Sequence, residues 1–154
     1  MNLYLVQHAE AKREEEDPAR PLTEKGWADI RKIAAFLHAH PLPPLRAIYH
    51  SGKMRAEQTA EVLAGVLHPR EGCRATEGLE PLADPALWIE RVRAESEDLM
   101  LVGHLPHLDR LSARLLSGGT ISEGLIAFQM GGLVCLHREG AKWRLRWMIV
   151  PELL

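Results

Sequence analysis

Short apolar runs alternate with helical patterns over the first two thirds of the chain. Three runs bounded by polar residues predict buried strands at residues 3–6, 46–50 and 98–102, and a shorter strand is expected near residues 74–76. Apolar residues spaced three or four apart predict helices at residues 24–39, 51–67, 85–95 and 106–116. Strands that alternate with helices in this way form a mostly parallel central sheet with helices on both faces.

The last third of the chain changes from alternating strands and helices to strands alone. Three strand-like segments, at residues 125–129, 133–137 and 143–150, are separated by glycine-containing turns. In the last segment every second residue from Trp143 to Ile149 is apolar, which is the pattern of a half-buried strand. We therefore expect C-terminal edge strands added to the sheet of a single α/β domain spanning residues 1–154.

Two of the predicted helices begin with recognisable signals. Thr23 is the expected N-cap of the first helix, because its hydroxyl can accept a hydrogen bond from an unpaired backbone N–H. Leu22 and Trp27, on either side of that start, have the spacing of a hydrophobic staple. Pro106 suits the first position of the last helix, where a missing N–H loses no partner.

Three side chains capable of chemistry stand where predicted strands end. His8 comes directly after the first strand, and His104 follows the strand at residues 98–102. Arg55 falls in the first turn of the helix after the second strand. Right-handed crossovers bring all three to one edge of the sheet, where open α/β sheets bind their ligands.

Lys53 joins Arg55 in that first turn, at the helix end that normally favours acidic residues. One interpretation is two exposed cations that lower stability slightly; the other is an anion site built with the backbone N–H groups of the helix. Two imidazoles and a guanidinium suit a phosphoryl group, because one histidine can attack phosphorus while the other groups hold its oxygens.

Composition narrows the possible functions. With 154 residues, 46% apolar and 26% charged, the chain has the composition of a soluble globular protein. A formal charge of −2 gives no reason to expect nucleic acid or an anionic membrane as partner. Cys73 and Cys135 lack metal-ligand spacing, and no apolar run has membrane-spanning length, so we expect reduced thiols in a cytoplasmic protein. Neither a nucleotide-binding glycine loop nor a carboxylate cluster is present, so no cofactor and no metal are expected.

Four motifs, in register along the chain, resemble those of the histidine phosphatase superfamily, which has the phosphoglycerate-mutase-like fold. Gln7-His8-Ala9 corresponds to the Arg-His-Gly or Arg-His-Ala that ends the first strand of the superfamily. Residues 20–26, Arg-Pro-Leu-Thr-Glu-Lys-Gly, resemble a run of the SixA-like phosphohistidine phosphatases. Residues 51–59 match the Ser-x-x-x-Arg-Ala-x-Gln-Thr element, and residues 103–106 match the Gly-His-Leu-Pro element that carries the second histidine.

The resemblance implies a role for each residue of the site. His8 is expected to be the nucleophile that becomes phosphohistidine, with one ring nitrogen held by a backbone carbonyl so that the other can attack. Arg55 and His104 are expected to hold the phosphoryl oxygens, and Arg20 to contribute from its loop. Gln7 replaces the arginine of the family, so one charged contact becomes a neutral amide donor.

Protein phosphohistidine is the expected substrate, with inorganic phosphate as product. The connections that follow His8 and residue 69 are short, which indicates a site open to a side chain of another protein. Glu80 is the nearest candidate proton donor, and a phosphohistidine needs less acid assistance than an ester because its P–N bond is labile. Two alternatives remain: a phosphatase of small phosphate esters, and a phosphoryl-binding module whose catalysis is weakened by Gln7.

Overall fold

The computed structural model describes all 154 residues, from Met1 to Leu154. The strands are β1 (Asn2–Gln7), β2 (Ala47–His50), β3 (Cys73–Ala75), β4 (Leu99–Gly103), β5 (Leu133–Glu139) and β6 (Lys142–Ile149). The helices are α1 (Glu24–Ala39), α2 (Met54–Leu67), α3 (Ala86–Ala94) and α4 (His107–Ser117), with a final 3-10 turn at Pro151–Leu153. No helix is long and apolar enough to cross a membrane.

The six strands form one sheet in the order β3-β2-β4-β1-β5-β6. Strands β1 to β4 pair in parallel, whereas β5 and β6 are antiparallel to their neighbours. The chain moves outward from β1 to β2 and β3 and then returns to place β4 between β2 and β1. The expected mostly parallel sheet with C-terminal edge strands is therefore confirmed.

The helices cover both faces of the sheet because successive residues of each buried strand point to opposite faces. Tyr4 and Val6 of β1 belong to one apolar cluster, which they share with α1 and α2. Leu3 and Leu5 belong to a second cluster, which is completed by α3 and α4. All four residues are almost fully buried, so β1 is apolar on both faces, as the uninterrupted run in the sequence predicts.

Helix α1 begins where its cap was expected. The Thr23 hydroxyl accepts a hydrogen bond from the backbone N–H of Gly26 at 3.0 Å and donates one to a carboxylate oxygen of Glu10 at 2.7 Å. The backbone N–H of Thr23 also donates to the Glu10 carbonyl at 3.0 Å. The start of α1 is thus fastened to the loop that follows His8, and α1 contributes to holding that loop in place.

Gly26 is required by this close approach. A Cβ atom added at Gly26 would lie 2.1 Å from the carbonyl oxygen of Glu10, a backbone atom that cannot turn aside. We expect Gly26→Ala to lower the free energy of unfolding by about 1–3 kcal/mol, the scale of an overpacked core. The matched control is Gly65→Ala in α2, where nothing lies within 4 Å and where alanine should stabilise the helix by about 0.5–1 kcal/mol. Urea unfolding measures both, and equal stabilities of Gly26→Ala and wild type would contradict the contact.

Two helix starts differ from the sequence prediction. Helix α2 begins at Met54 rather than near residue 51, because Gly52 has a left-handed φ of +85° and Lys53 is extended. Helix α4 begins at His107, with Pro106 as the residue before the first helical position rather than at that position. Both differences move the helix start away from the strand that precedes it, leaving a short loop at the sheet edge.

The predicted strand at residues 125–129 is wrong. Ile126 and Phe128 are buried in the apolar cluster of α3 and α4, so the apolar run does contribute to the core. The segment nevertheless pairs with no strand of the sheet. A short apolar run indicates burial and not whether the backbone has a hydrogen-bonded neighbour.

Strand β6 contains a β-bulge that interrupts the alternation expected from Trp143 to Ile149. Cys135 pairs with Trp147 and the next residue, Leu136, pairs with Leu145, so Arg146 is the extra residue. Trp143 therefore packs in the cluster of α3 and α4, whereas Trp147 packs against the cluster of α1 and α2. Leu145, expected to be buried, is 49% exposed.

Candidate active site

The two histidines predicted at strand ends lie side by side. His8 follows β1, His104 follows β4, and these strands are parallel neighbours. The backbone N–H of His8 donates to the Gly103 carbonyl at 3.0 Å, which continues the ladder one residue beyond β1. The ring centroids of His8 and His104 are 5.0 Å apart. The sheet therefore brings both imidazoles to one point at its carboxyl edge, as expected.

His8 is held as a neutral base. Its Nδ1 lies 2.7 Å from the Ala9 carbonyl oxygen; a carbonyl can only accept, so Nδ1 carries the proton and the lone pair is on Nε2. This confirms the expected hydrogen bond to a backbone carbonyl. The pKa of His8 is lowered to about 4, mainly by burial; the bond to the Ala9 carbonyl opposes this shift, and the charges of Arg55 and Arg20 add to it. The ring is only 8% exposed, and at neutral pH its Nε2 is available as a nucleophile.

His104 is positioned by Ser51, at the end of the neighbouring strand β2. Its Nε2 lies 2.6 Å from the Ser51 hydroxyl, and that hydroxyl oxygen also accepts a hydrogen bond from the backbone N–H of Lys53 at 3.3 Å. The Ser51 hydroxyl can therefore donate its own proton to Nε2 of His104. The proton of the neutral imidazole is then on Nδ1, which is buried and has no hydrogen-bond partner. The pKa of His104 is lowered to about 3, mainly by burial and in smaller part by His8 and Arg55.

Arg55 projects its guanidinium to the same edge from the first turn of α2. Its Nε is buried and has no hydrogen-bond partner. Burial, followed by the charge of Arg20, lowers the pKa of the Arg55 guanidinium. Arg55 is half-buried, with one unused buried donor and a like-charged neighbour. Such an arrangement is unfavourable in the free protein and is expected of a group that binds an anion.

The Thr59 hydroxyl ties α2 to the residue after His8. It donates to the Arg55 carbonyl at 2.8 Å and accepts from the Ala9 backbone N–H at 3.0 Å. Thr59 and Ser51 both lie in the motif at residues 51–59, but sequence reasoning assigned neither a role. The sequence feature that could have identified Thr59 is a polar residue on the apolar face of α2, where it has no exposed surface.

Arg20 reaches the site from the loop before α1. Its backbone has a left-handed φ of +50°, and its Nε donates to the Lys12 carbonyl at 3.0 Å, so the loop folds back on itself. The positive charge of Arg20 lowers the pKa values of both His8 and Arg55. The structure therefore places the charge of Arg20 near His8 and Arg55.

Gln7 and Glu80 are less firmly connected to this group. Gln7 ends β1 opposite Gly103, and its backbone carbonyl accepts from the Gly131 N–H at 2.9 Å. Its side-chain amide makes no hydrogen bond within the protein.

The Glu80 carboxylate accepts from the backbone N–H of Gly78 at 3.0 Å. Its charge raises the pKa of His107 and is not among the causes that shift the pKa of His8 or His104. Glu80 thus holds a turn beside the site in this structure.

The charge of the site is positive and uncompensated. His8 and His104 are neutral at pH 7, so its fixed charges come from Arg55, Arg20 and Lys53, all of which act on one or both histidines. No carboxylate is among the groups that shift the pKa of either histidine. A phosphoryl dianion would therefore meet positive charge and buried N–H donors without a competing anion.

A third buried histidine, His107, lies behind this group at the start of α4. Its ring is 0% exposed and neither ring nitrogen has a hydrogen-bond partner. Burial lowers the pKa of His107 to about 4, although the charges of Glu80 and Asp84 oppose that shift. Sequence reasoning missed this residue, because its burial depends on how the chain before α3 packs over it.

His107→Leu should stabilise the protein, and more at pH 5 than at pH 8. The pKa of His107 is near 6.5 in the unfolded chain and about 4 in the folded protein. At a pH between these values His107 is protonated mainly in the unfolded chain, so the free energy of unfolding decreases as the pH falls. Leucine removes this proton uptake and the unpartnered nitrogens. Urea unfolding at both pH values measures the effect, with the exposed His38→Gln as control. A variant less stable than wild type at both pH values would contradict the cost assigned to the buried ring.

A model of the histidine phosphatase superfamily, branch 1, matches residues 3–80, about half of the chain. This stretch includes His8, Arg20, Arg55 and Glu80, whereas His104 lies beyond it. Among curated proteins, no sequence matches the chain significantly.

Solved structures resemble the chain over nearly its whole length. The protein histidine phosphatase SixA, in complex with tungstate, is 23% identical with a TM-score of 0.84, covering 99% of both chains. The α-ribazole phosphatase of Shigella flexneri is 15% identical with a TM-score of 0.76, covering 95% of both chains. A histidine-to-alanine variant of phosphoserine phosphatase from Entamoeba histolytica, in complex with phosphoserine, is 14% identical with a TM-score of 0.71, covering 96% of this chain and 95% of that chain. These likenesses confirm the phosphoglycerate-mutase-like fold.

Proposed function

Because the chain belongs to the histidine phosphatase superfamily, we propose that it removes a phosphoryl group from phosphohistidine on another protein. The observation that carries the proposal is the state of His8, a buried neutral imidazole whose proton is fixed on Nδ1 and whose Nε2 faces a positively charged site. Such a nitrogen is a nucleophile already in its reactive form, so no separate base is needed to activate it.

The proposed reaction has two steps. In the first, the His8 Nε2 lone pair attacks phosphorus, the P–N bond of the substrate breaks, and the leaving imidazole takes up a proton. In the second, water attacks phosphorus, the P–Nε2 bond breaks, and inorganic phosphate leaves with a proton released. Arg55, Arg20 and His104 hold the phosphoryl oxygens, and a bound dianion raises the pKa of His104 towards protonation.

Phosphohistidine is favoured over phosphate esters because the site offers little acid assistance. An alkoxide leaving group needs a proton donor. The Glu80 carboxylate instead accepts a hydrogen bond from the backbone N–H of Gly78. An imidazole leaves more readily, because the P–N bond is labile. The short loop at residues 9–21 leaves the site accessible to a side chain presented by another protein, and the likeness to SixA agrees with this choice.

A phosphatase of small phosphate esters is the second candidate, since proteins named for α-ribazole phosphate and phosphoserine chemistry share the fold. Turnover of a phosphohistidine protein, phosphoserine, a sugar phosphate and an aryl phosphate should be compared at equal concentration. We expect the highest kcat/KM for the phosphohistidine protein. A higher value for phosphoserine or the sugar phosphate would replace our proposal with the second candidate, and no turnover of any substrate would indicate a phosphoryl-binding module.

Gln7 should limit turnover of esters more than turnover of phosphohistidine. We expect Gln7→Arg to raise kcat/KM on aryl phosphate by about tenfold, which corresponds to about 1.4 kcal/mol of added transition-state binding. Gln7→Ala should lower kcat/KM on both substrates, because the neutral amide donor is lost. Steady-state kinetics of the three proteins measure this. If Gln7→Ala equals wild type on both substrates, Gln7 does not contact the phosphoryl group.

A further inference from the structure

Lys53 lies at the entrance of the site, one hydrogen bond away from a residue that contacts His104. It is the N-cap residue of α2, and its backbone N–H donates to the Ser51 hydroxyl, which in turn bonds His104 Nε2 at 2.6 Å. Two residues further along, the same helix turn carries Arg55. The backbone of Lys53 is therefore fixed relative to both oxygen-holding groups of the proposed site.

The Lys53 side chain has no partner within the protein. It makes no side-chain hydrogen bond to cap the helix, forms no ion pair with any carboxylate, and is exposed. A cation at a helix N-terminus is also unfavourable, because the helix dipole places partial positive charge there. No contact within the protein offsets the unfavourable position of this ammonium. Its charge is nevertheless close enough to the site to lower the pKa of His104.

The other two cations of the site are restrained. The Nε of Arg55 is buried, and Arg20 is bonded to the Lys12 carbonyl. Both histidines are neutral before substrate binds, and Gln7 contributes no charge. The free site therefore has two restrained guanidinium groups and one exposed ammonium without a partner to meet a dianion.

We propose that Lys53 is a further substrate-binding residue, whose ammonium contacts the outward-facing oxygens of the bound phosphoryl group. This inference rests on the proposed function of the site. An exposed cation contributes to binding and to association rather than to the chemical step, so its loss should raise KM and leave kcat nearly unchanged. Its contribution should also be screened by salt more strongly than that of half-buried Arg55.

The test measures the dissociation constant of tungstate, used as the oxyanion probe, together with kcat and KM on a phosphohistidine protein. Wild type is compared with Lys53→Met, Lys53→Arg and the control Lys142→Met, an exposed lysine at the start of β6 on the opposite edge of the sheet. We expect Lys53→Met to weaken tungstate binding by about two- to fivefold, the scale of an exposed charge contact. Lys53→Arg should bind nearly as wild type, and the difference should shrink at about 0.5 M salt.

A double variant separates this inference from a general charge effect. In a Gln7→Arg background the guanidinium would supply charge next to His8, so Lys53→Met should cost less there than in wild type. If Lys53→Met and Lys142→Met bind tungstate equally while wild type binds and turns over substrate, the role of Lys53 is disproved and the proposed function stands. If wild type itself neither binds tungstate nor turns over any phosphoryl donor, the proposed function is what has failed.

Discussion

His8→Ala should abolish turnover of phosphohistidine protein and aryl phosphate alike. The substitution removes the only group of the protein that forms a bond to phosphorus in the proposed reaction. We expect kcat/KM to fall by at least about three orders of magnitude, as for other enzymes that lose their nucleophile. The fold should survive, because the lost contacts are the bond to the Ala9 carbonyl and the packing on His104, at the edge of the core.

His107→Leu is the matched control for this experiment, since it removes another buried histidine from the same edge of the sheet. It should keep most of the wild-type activity, whereas His8→Ala should keep its thermal stability and tungstate binding but lose turnover. Activity of His8→Ala within about tenfold of wild type would show that phosphoryl transfer does not pass through His8.

Arg55→Met should reduce activity strongly while leaving the protein at least as stable as wild type. A guanidinium aimed at developing phosphoryl charge is worth about 10²–10³ in rate. In the free protein the same side chain is half-buried, has a buried and unpartnered Nε, and lies near the like charge of Arg20. An apolar side chain of similar length relieves these costs, so the free energy of unfolding should rise.

Arg55→Lys separates charge from geometry, because lysine keeps the positive charge but not the planar fork of donors. We expect activity between those of Arg55→Met and wild type. Steady-state kinetics and urea unfolding of the three proteins measure the two effects together. A large loss of stability in Arg55→Met would contradict the view that this residue is held for the ligand rather than for the fold.

Much of the fold could be predicted because local signals and the global pattern agree. The bounds predicted for α1 are those observed, since Thr23 marks its start and apolar spacing runs through to its end. The bulge at Arg146 could not be predicted, because one inserted residue changes which face the side chains occupy without changing their spacing in the sequence. The unpaired segment at residues 125–129 failed for a related reason, as pairing depends on where other strands lie.

The site was predictable where it depends on topology and less so where it depends on side-chain contacts. Parallel strands that end together place His8 and His104 at one edge, and this much follows from strand order and crossover handedness. The bond between Ser51 and His104, the link through Thr59 and the burial of His107 involve residues distant in the chain. Such contacts become visible only when the packing of α2 and α4 is known.

During turnover, phosphorus should become bonded to His8, and rapid quenching detects this bond. Wild-type protein is mixed briefly with a radiolabelled phosphoryl donor, quenched in alkali, digested and mapped by mass spectrometry. We expect label on the peptide that contains His8, stable in alkali and lost in acid like a phosphoramidate, and no label in His8→Ala. Label on a different residue, or label that persists in His8→Ala, would contradict this expectation.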